Sequence, residues 1–302
     1  MKFTLEYPSE LPTAPDDFLR PDVIREVAQS AEQCSFSAVA LSEHPAPSLK
    51  WRRNGGHNTL DPVAALSFMA GATDRIRLMT NLYVLPFRNP YLSAKALGSL
   101  DIVSGGRLIA GVGAGYLRSE FAAVGIDFDR RPALFDEALT ALRSIWTDPE
   151  TPVGGESFAA TGPLWLQHPP QRPHPPIWIG GNSRAALRRV VESGDGWTPL
   201  IVDEAMAAAI RTPAIATPDQ FSRELDVLRK RLADAGRDPA SVDVQVVCPP
   251  TDLDDPVSVR AAWDFLDDFG TRGATWAVVH VDGSGPQAAL EYITRFAAEF
   301  VD

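Results

Sequence analysis

Eight short apolar, β-prone runs alternate with segments of helical apolar spacing along 302 residues, and this alternation most constrains the fold. The runs lie at residues 3–7, 38–41, 76–82, 108–112, 177–179, 196–199, 242–247 and 276–281. Each is too short for a helix and nearly continuous in apolar residues, as a strand buried on both faces requires. Between them, Leu134, Phe135, Ala138, Leu139, Leu142 and Ile145 share one helical face. So do Phe221, Leu225, Leu228 and Leu232, and later Leu290, Ile293, Phe296 and Phe300. Asp61-Pro62, Asn89-Pro90, Thr217-Pro218 and Asp255-Pro256 pair a capping side chain with proline at the first helical position, and Ser183 caps another helix. Gly105, Gly194, Gly236 and Gly270 read as stops. Eight βα units in a chain of this size predict a closed (β/α)8 TIM barrel filling residues 1–302 as a single domain. An open doubly wound sheet is the alternative.

Two stretches break the alternation, and both are assigned to loops at the C-terminal end of the strands. Residues 147–176 hold eight prolines and five glycines or histidines. They read as a long loop over one end of the barrel, either a lid or a connector. Residues 202–238 form a second insertion with a helix of its own, and their alanine-rich part, 205–215, has the composition of a mobile segment.

Composition narrows the partners. A formal charge of −11 without a basic stripe argues against nucleic acid and anionic membranes. Cys34 and Cys248 read as buried thiols, too few for a disulfide framework or a cysteine-based zinc site. The polar start, Met1-Lys2-Phe3-Thr4-Leu5-Glu6-Tyr7, is not a secretory signal, and no apolar stretch reaches spanning length, so a cytoplasmic location is expected.

In a (β/α)8 barrel, function gathers at the C-terminal ends of the strands. Gly111, Gly113, Gly115 and Tyr116 follow the fourth run, and Gly180, Gly181, Asn182 and Ser183 follow the fifth. A strand running through a glycine turn into a helix exposes amides where an anion is favoured. Two such turns predict a phosphorylated cofactor held across several strand ends. A dinucleotide fingerprint fails because Tyr116 stands where the third glycine belongs, and no P-loop occurs. Ser42, Glu43 and His44 follow the second run, and His44 is the acid–base candidate. Thr80, Asn81 and Leu82 end the third, and Asp195, Trp197, Thr198 and His280 belong to the later ones. His57 reads as structural or surface, and His168 and His174 as solvent-exposed. Glu43, His44, His57 and Asp61 lack the spacing of a metal motif, so no metal is expected. Trp51, Tyr83, Phe87, Tyr116, Trp165 and Trp197 lie in or beside these loops and could enclose a planar ring. Arg88 and Arg118 are candidates for an anionic tail, whereas Arg52 and Arg53 read as solvated surface.

In this order, the residues resemble the bacterial luciferase-like flavin and deazaflavin oxidoreductases, and most of all their coenzyme F420-dependent branch. The matching stretches are Ser42-Glu43-His44, Asn58-Thr59-Leu60-Asp61-Pro62, and Thr80-Asn81-Leu82 with Leu85-Pro86-Phe87-Arg88-Asn89-Pro90. They continue through Ser104-Gly105-Gly106-Arg107-Leu108, the Gly111-to-Tyr116 stretch with Glu120-Phe121, and Arg130-Arg131 with Asp136-Glu137-Ala138. They end at Pro175-Pro176-Ile177-Trp178-Ile179-Gly180-Gly181, and the resemblance thins beyond Val202.

The resemblance implies a (β/α)8 barrel with the cofactor ring over the strand ends. It implies the phosphate at Gly180, Gly181, Asn182 and Ser183, with Thr80, Asn81, Leu82, Gly111, Gly113, Gly115 and Tyr116 around the cofactor. It implies that Glu43 contacts the ring and that His44 passes a proton to or from the substrate. A non-proline cis peptide beneath the ring would fall, by position, at Asn81–Leu82. The implied reaction moves a hydride between F420 and a small carbonyl, activated alkene or alcohol, in a homodimer. Two departures matter. Tyr116 stands near the fourth-strand turn, where several F420-dependent dehydrogenases carry catalytic side chains. Glu43 replaces the commoner Asp, which keeps an FMN-dependent monooxygenase using O2 as the alternative. A cofactor carrier or sensor is a further reading. An unrelated hydrolase would need a carboxylate pair that the strand ends do not offer. Substrate choice is assigned to residues 45–56 and to the proline-rich loop.

Overall fold

The computed structural model describes residues 1–148 and 150–301. All eight apolar runs are strands: β1 Lys2–Glu6, β2 Ala38–Leu41, β3 Arg77–Val84, β4 Leu108–Gly113, β5 Ile177–Gly180, β6 Gly196–Thr198, β7 Asp243–Val247 and β8 Trp276–His280. Each pairs in parallel with its neighbour in sequence, and β8 pairs with β1, so the sheet closes into a barrel. Helices stand between the strands: α1 Pro21–Gln33, α2 Leu49–Arg53, α3 Pro62–Ala70, α4 Pro90–Val103, α5 Arg118–Ala123, α6 Arg131–Thr147, α7 Arg184–Ser193, α8 Glu204–Ile210, α9 Pro218–Asp234, α10 Pro256–Arg272 and α11 Pro286–Phe300.

The helix starts follow the capping chemistry. Asp61, Asn89, Ser183, Thr217 and Asp255 each accept a first-turn amide through the side chain, and Thr217 with Gln220 completes a capping box. One stop is corrected. Gly270 lies inside α10, and the helix ends at Gly273, whose φ of 116° suits only glycine. The insertion after β6 holds two helices, not one. α8 occupies the alanine-rich part, pinned by a bridge between Val202 and Ile215, and α9 is the barrel helix that follows β6.

Inside the barrel, Ala38, Ala40, Met79, Ile109, Trp178 and Trp276 form a separate core, with the two indoles edge to face at 5.1 Å. Small residues on neighbouring strands make room for them. A Cβ on Gly196 would collide with the Trp178 ring. One polar contact bridges the interior, from Thr4 Oγ1 to Gln245 Oε1 at 2.7 Å. The larger core lies between strands and helices.

The proline-rich stretch is not a lid. Its described residues run down the outside of α4 and α6 to the base of the barrel. Tyr91 donates to the Val153 carbonyl, and Gln171 Nε2 donates to Asp101 and to the Leu108 carbonyl at the start of β4. Arg77, the first residue of β3, donates to Gln171. The strap then feeds β5 from below. His168 is half-buried against the Trp146 carbonyl, and His174 is buried beside the Trp146 ring, so neither faces solvent as expected. Cys248 is buried, which pushes its thiol up to about 12, while Cys34 ends α1 half-buried.

Candidate active site

The C-terminal ends of the strands open into one cavity of about 610 Å³. His44, Glu43, Asn81, Leu82, Gly113, Gly115, Tyr116, Gly180, Gly181 and Ser183 line it. Thr80, Gly111 and Asn182 do not. Thr80 is fully buried and donates to the Gly111 carbonyl at 2.8 Å. Asn182 donates to the Leu200 and Pro213 carbonyls at 2.7 and 2.8 Å, which ties two loops together.

The glycines of β4 and β5 make room for the end of β3. A Cβ on Gly180 would collide with Leu82, one on Gly111 with the Thr80 carbonyl, and one on Gly113 would press on Leu82. β3 bulges here against β4, and Asn81–Leu82 is cis, at the position the resemblance implies. Gly111 and Gly113 are therefore strand residues, not a turn, and only Gly115, at φ 74°, turns the chain. The first of the two expected phosphate cradles is absent. α5, which follows, is six residues long and has no side-chain cap. At the second, Gly181 and Asn182 already spend their amides on the Thr198 carbonyl and on Thr212 Oγ1. The amides of Ser183, Arg184 and Ala185 at the start of α7 have no protein acceptor among the described residues.

Glu43 is 4% exposed and held on both oxygens. Oε2 accepts the Val84 amide at 2.6 Å, and Arg88 binds both oxygens. Burial pushes this carboxyl above its usual range, against the pull of Arg88 and of the amide. Arg88 is thus spent on Glu43 and on the Tyr83 ring, not on a tail.

His44 meets a partner that local sequence did not supply. Nδ1 lies 3.0 Å from Glu120 Oε2, and the two side chains are 9% and 2% exposed. The other oxygen of Glu120 takes the Ala46 amide at 3.3 Å. A carboxylate that only accepts fixes the proton on Nδ1 and leaves Nε2 as the free acid–base nitrogen. Glu120 stood in the matched stretch beside Phe121, four residues beyond Tyr116, and one helical turn brings it to the site. Trp51 packs on the His44 ring at 4.5 Å, with His57 at 5.3 Å and Tyr116 at 5.9 Å. Gly56 lets the chain fold back over Trp51, since a Cβ there would enter the indole. His57 therefore belongs to this cluster. Burial lowers its pKa, and Nδ1 donates to the Asn58 carbonyl at 3.2 Å.

A second imidazole–carboxylate pair lines the same cavity. His280 Nε2 lies 2.5 Å from Glu6 Oε2, at the paired ends of β8 and β1. Burial opposes the charge on His280, but Glu6 and Glu10 outweigh it and raise its pKa. Behind them, burial and the charge of Glu6 push the Glu10 carboxyl up to about 8. Glu10 accepts the Ser42 amide and the Thr59 hydroxyl, each at 2.8 Å.

Other expectations divide. Phe87, Tyr116 and Thr198 line the cavity, whereas Tyr83 and Trp197 are core, and Trp165 is 83% exposed on the strap. Neither residues 45–56 nor any described strap residue lines the cavity as expected, and Trp51 only backs the His44 ring. Among the described residues, no three His, Cys, Asp or Glu side chains are placed to hold a metal ion. No described helix is long and apolar enough to cross a membrane.

A closed parallel barrel with a largely apolar, histidine-bearing cavity at its strand ends defines an α/β-barrel enzyme scaffold. The chain belongs to the luciferase-like monooxygenase family, whose profile matches residues 1–269. It is 36% identical over 242 residues to an uncharacterised protein of Mycobacterium tuberculosis, covering 80% of this chain and 76% of that one. It is 31% identical over 183 residues to the F420-dependent glucose-6-phosphate dehydrogenase of Gordonia bronchialis, covering 59% and 52%. Among solved structures, monooxygenase RslO1 from Streptomyces bottropensis superposes with a TM-score of 0.83 at 24% identity, covering 100% and 99%.

Proposed function

We propose that this protein is an oxidoreductase that moves a hydride between coenzyme F420 and a small carbonyl, activated alkene or alcohol. The observation that carries this reading is the buried His44–Glu120 pair, which leaves one imidazole nitrogen free at the cavity wall. The 31% identity to an F420-dependent dehydrogenase supports the choice of cofactor.

The residues fit such a group. Ser42 Oγ and Thr198 Oγ1 are buried at the cavity without a protein partner, as polar atoms awaiting a ligand would be. Ser183, Arg184 and Ala185 would offer amides to the phosphate, and Asn81, Leu82 and Gly113 would lie against the ring system. When bound, F420 supplies or accepts the hydride.

The chain's own part is the proton. His44 donates it from Nε2 as a carbonyl or alkene is reduced, and withdraws it there when an alcohol is oxidised. Glu120 holds the ring in the tautomer this needs and stabilises the imidazolium when it forms. Trp51, His57 and Tyr116 close the ring off from water.

Fluorescence titration with F420 and with FMN tests the cofactor. Tight F420 binding and weak FMN binding would support the reading, and the reverse preference would move the protein to an FMN-dependent monooxygenase using O2. His44→Ala should lower turnover roughly 10²–10⁴-fold with F420 affinity little changed. Glu120→Gln should lower kcat in the same direction with KM nearly constant. Unaltered turnover in His44→Ala would remove the proton role.

A further inference from the structure

One end of the cavity is cationic. The lining carboxylates Glu6, Glu43 and Glu120 sit at the ends of β1 and β2 and on α5, whereas Arg131, Arg189 and Arg211 surround the start of α7. Arg189 is neutralised, since Nε donates to Asp136 at 2.6 Å and Nη2 to the Pro132 carbonyl at 3.0 Å. Arg131 and Arg211 have no carboxylate partner among the described residues. Arg131 donates to the Phe128 carbonyl at 3.0 Å, and its guanidinium lies 3.8 Å from the centre of the Phe128 ring. Arg118 and Arg211 reach the same ring at 4.3 and 5.2 Å. Of the nearby carboxylates, Asp129 is bound to Arg118 at 2.8 and 3.2 Å, and Asp127 accepts the amide of Asp129 at 2.9 Å. Three guanidiniums crowd one ring in a chain of net charge −11. Asp129 offsets part of this charge, its carboxyl held below the usual range by the Arg118 hydrogen bond and by the charges of Arg131 and Arg211, and three cations against one carboxylate still favour a further anion among them.

The arginines are positioned by deliberate ties. The Asn182 amide bonds Thr212 Oγ1 at 3.2 Å and its side chain bonds the Pro213 carbonyl, fixing the loop that carries Arg211 against the turn before α7. The Arg189–Pro132 bond holds the start of α6, and Arg131 with it, on the other side. Arg211 itself takes a left-handed backbone, φ 59°, which is unfavourable for any residue but glycine.

We propose that Arg131 and Arg211, with Arg118 behind them, form a subsite for an anionic chain that continues past a phosphate seated at the start of α7. The inference rests on the deazaflavin reading above and deepens it. F420 carries glutamate carboxylates beyond its phosphate, whereas FMN ends at the phosphate, so the subsite selects the former.

The test is a tryptophan-fluorescence titration of the full chain with three probes: F420 bearing two or more glutamates, its glutamate-free phosphate form, and FMN. The glutamylated form should bind roughly tenfold tighter than the glutamate-free form, with the gap narrowing as salt is added. The double variant Arg131→Gln/Arg211→Gly should close the gap and keep the affinity for the glutamate-free form, which also reports that it is folded. Glycine suits the left-handed position, so this change removes the charge and leaves the turn intact. Equal affinity for both deazaflavin forms in the unaltered protein, or a gap that survives in the double variant, overturns the subsite and leaves the deazaflavin reading standing. An equal loss of both forms would assign the arginines to the phosphate itself, and also overturns it. Binding of FMN and of neither deazaflavin form overturns both.

Discussion

Single side chains at this site gain their properties from neighbours distant in sequence. Glu10 is held protonated up to about 8, because it is buried and faces Glu6, with Ser42, Thr59 and His280 around it. An unfolded chain would release that proton near the ordinary carboxylate value. Between the two values the unfolded state binds fewer protons, so stability falls as pH rises. His280, also raised, contributes in the same sense. Thermal melts from pH 5 to 8 should show a declining midpoint, and Glu10→Gln should flatten it. A midpoint that rises across this range would refute the assignment. The variant keeps an oxygen for the Ser42 amide, and the Thr59 hydroxyl can turn to the Ser42 carbonyl 3.2 Å away. Sequence reasoning found His44 and Glu43 because they directly follow a strand. It missed Glu120, which meets His44 across 76 positions, and it missed Glu6 and Glu10. The rule about strand ends would have found Glu6 had it been applied to the first strand as well.

At the level of elements, caps were legible and glycines were not. A capping side chain followed by proline opens a helix at Asp61, Asn89, Thr217 and Asp255, where a helical apolar pattern follows, and opens none at Thr151, Thr198 or Thr212, where it does not. A glycine can be a stop, a turn or a vacancy for a neighbour, and only the tertiary contacts decide. Gly270 illustrates the first error. It is a helix-interior residue, and a Cβ there would meet only the end of the Met1 side chain at 3.2 Å. Gly270→Ala should therefore stabilise the protein by about 0.5–1 kcal/mol, read as a higher Tm or denaturation midpoint. Gly180 illustrates the second. Gly180→Ala should cost about 1–3 kcal/mol by driving into Leu82. Adding Leu82→Ala should recover part of that loss, and strict additivity of the two changes would argue against the contact.

Across the whole molecule, alternation of strand and helix carried the closed barrel, because parallel pairing between sequence neighbours leaves few other arrangements. The path of the long connections was not legible, since prolines mark an irregular chain without saying which end of the barrel it crosses. We expect far-UV circular dichroism and tryptophan fluorescence to report one coincident unfolding transition, as a ring of eight strands gives no edge at which part could separate. Two separated transitions would indicate independent units. The strap between α6 and β5 has a practical meaning. Its turn at Gly154 and Gly155 stands against the start of α6, where Glu156 meets Arg130 and the amide of Glu156 meets Glu137, and from there it descends over the outer helices and re-enters from below. A reporter domain or a surface tether spliced instead beside the exposed Leu164 and Trp165, farther along the strap, would ride on the protein's flank away from the residues that line the cavity.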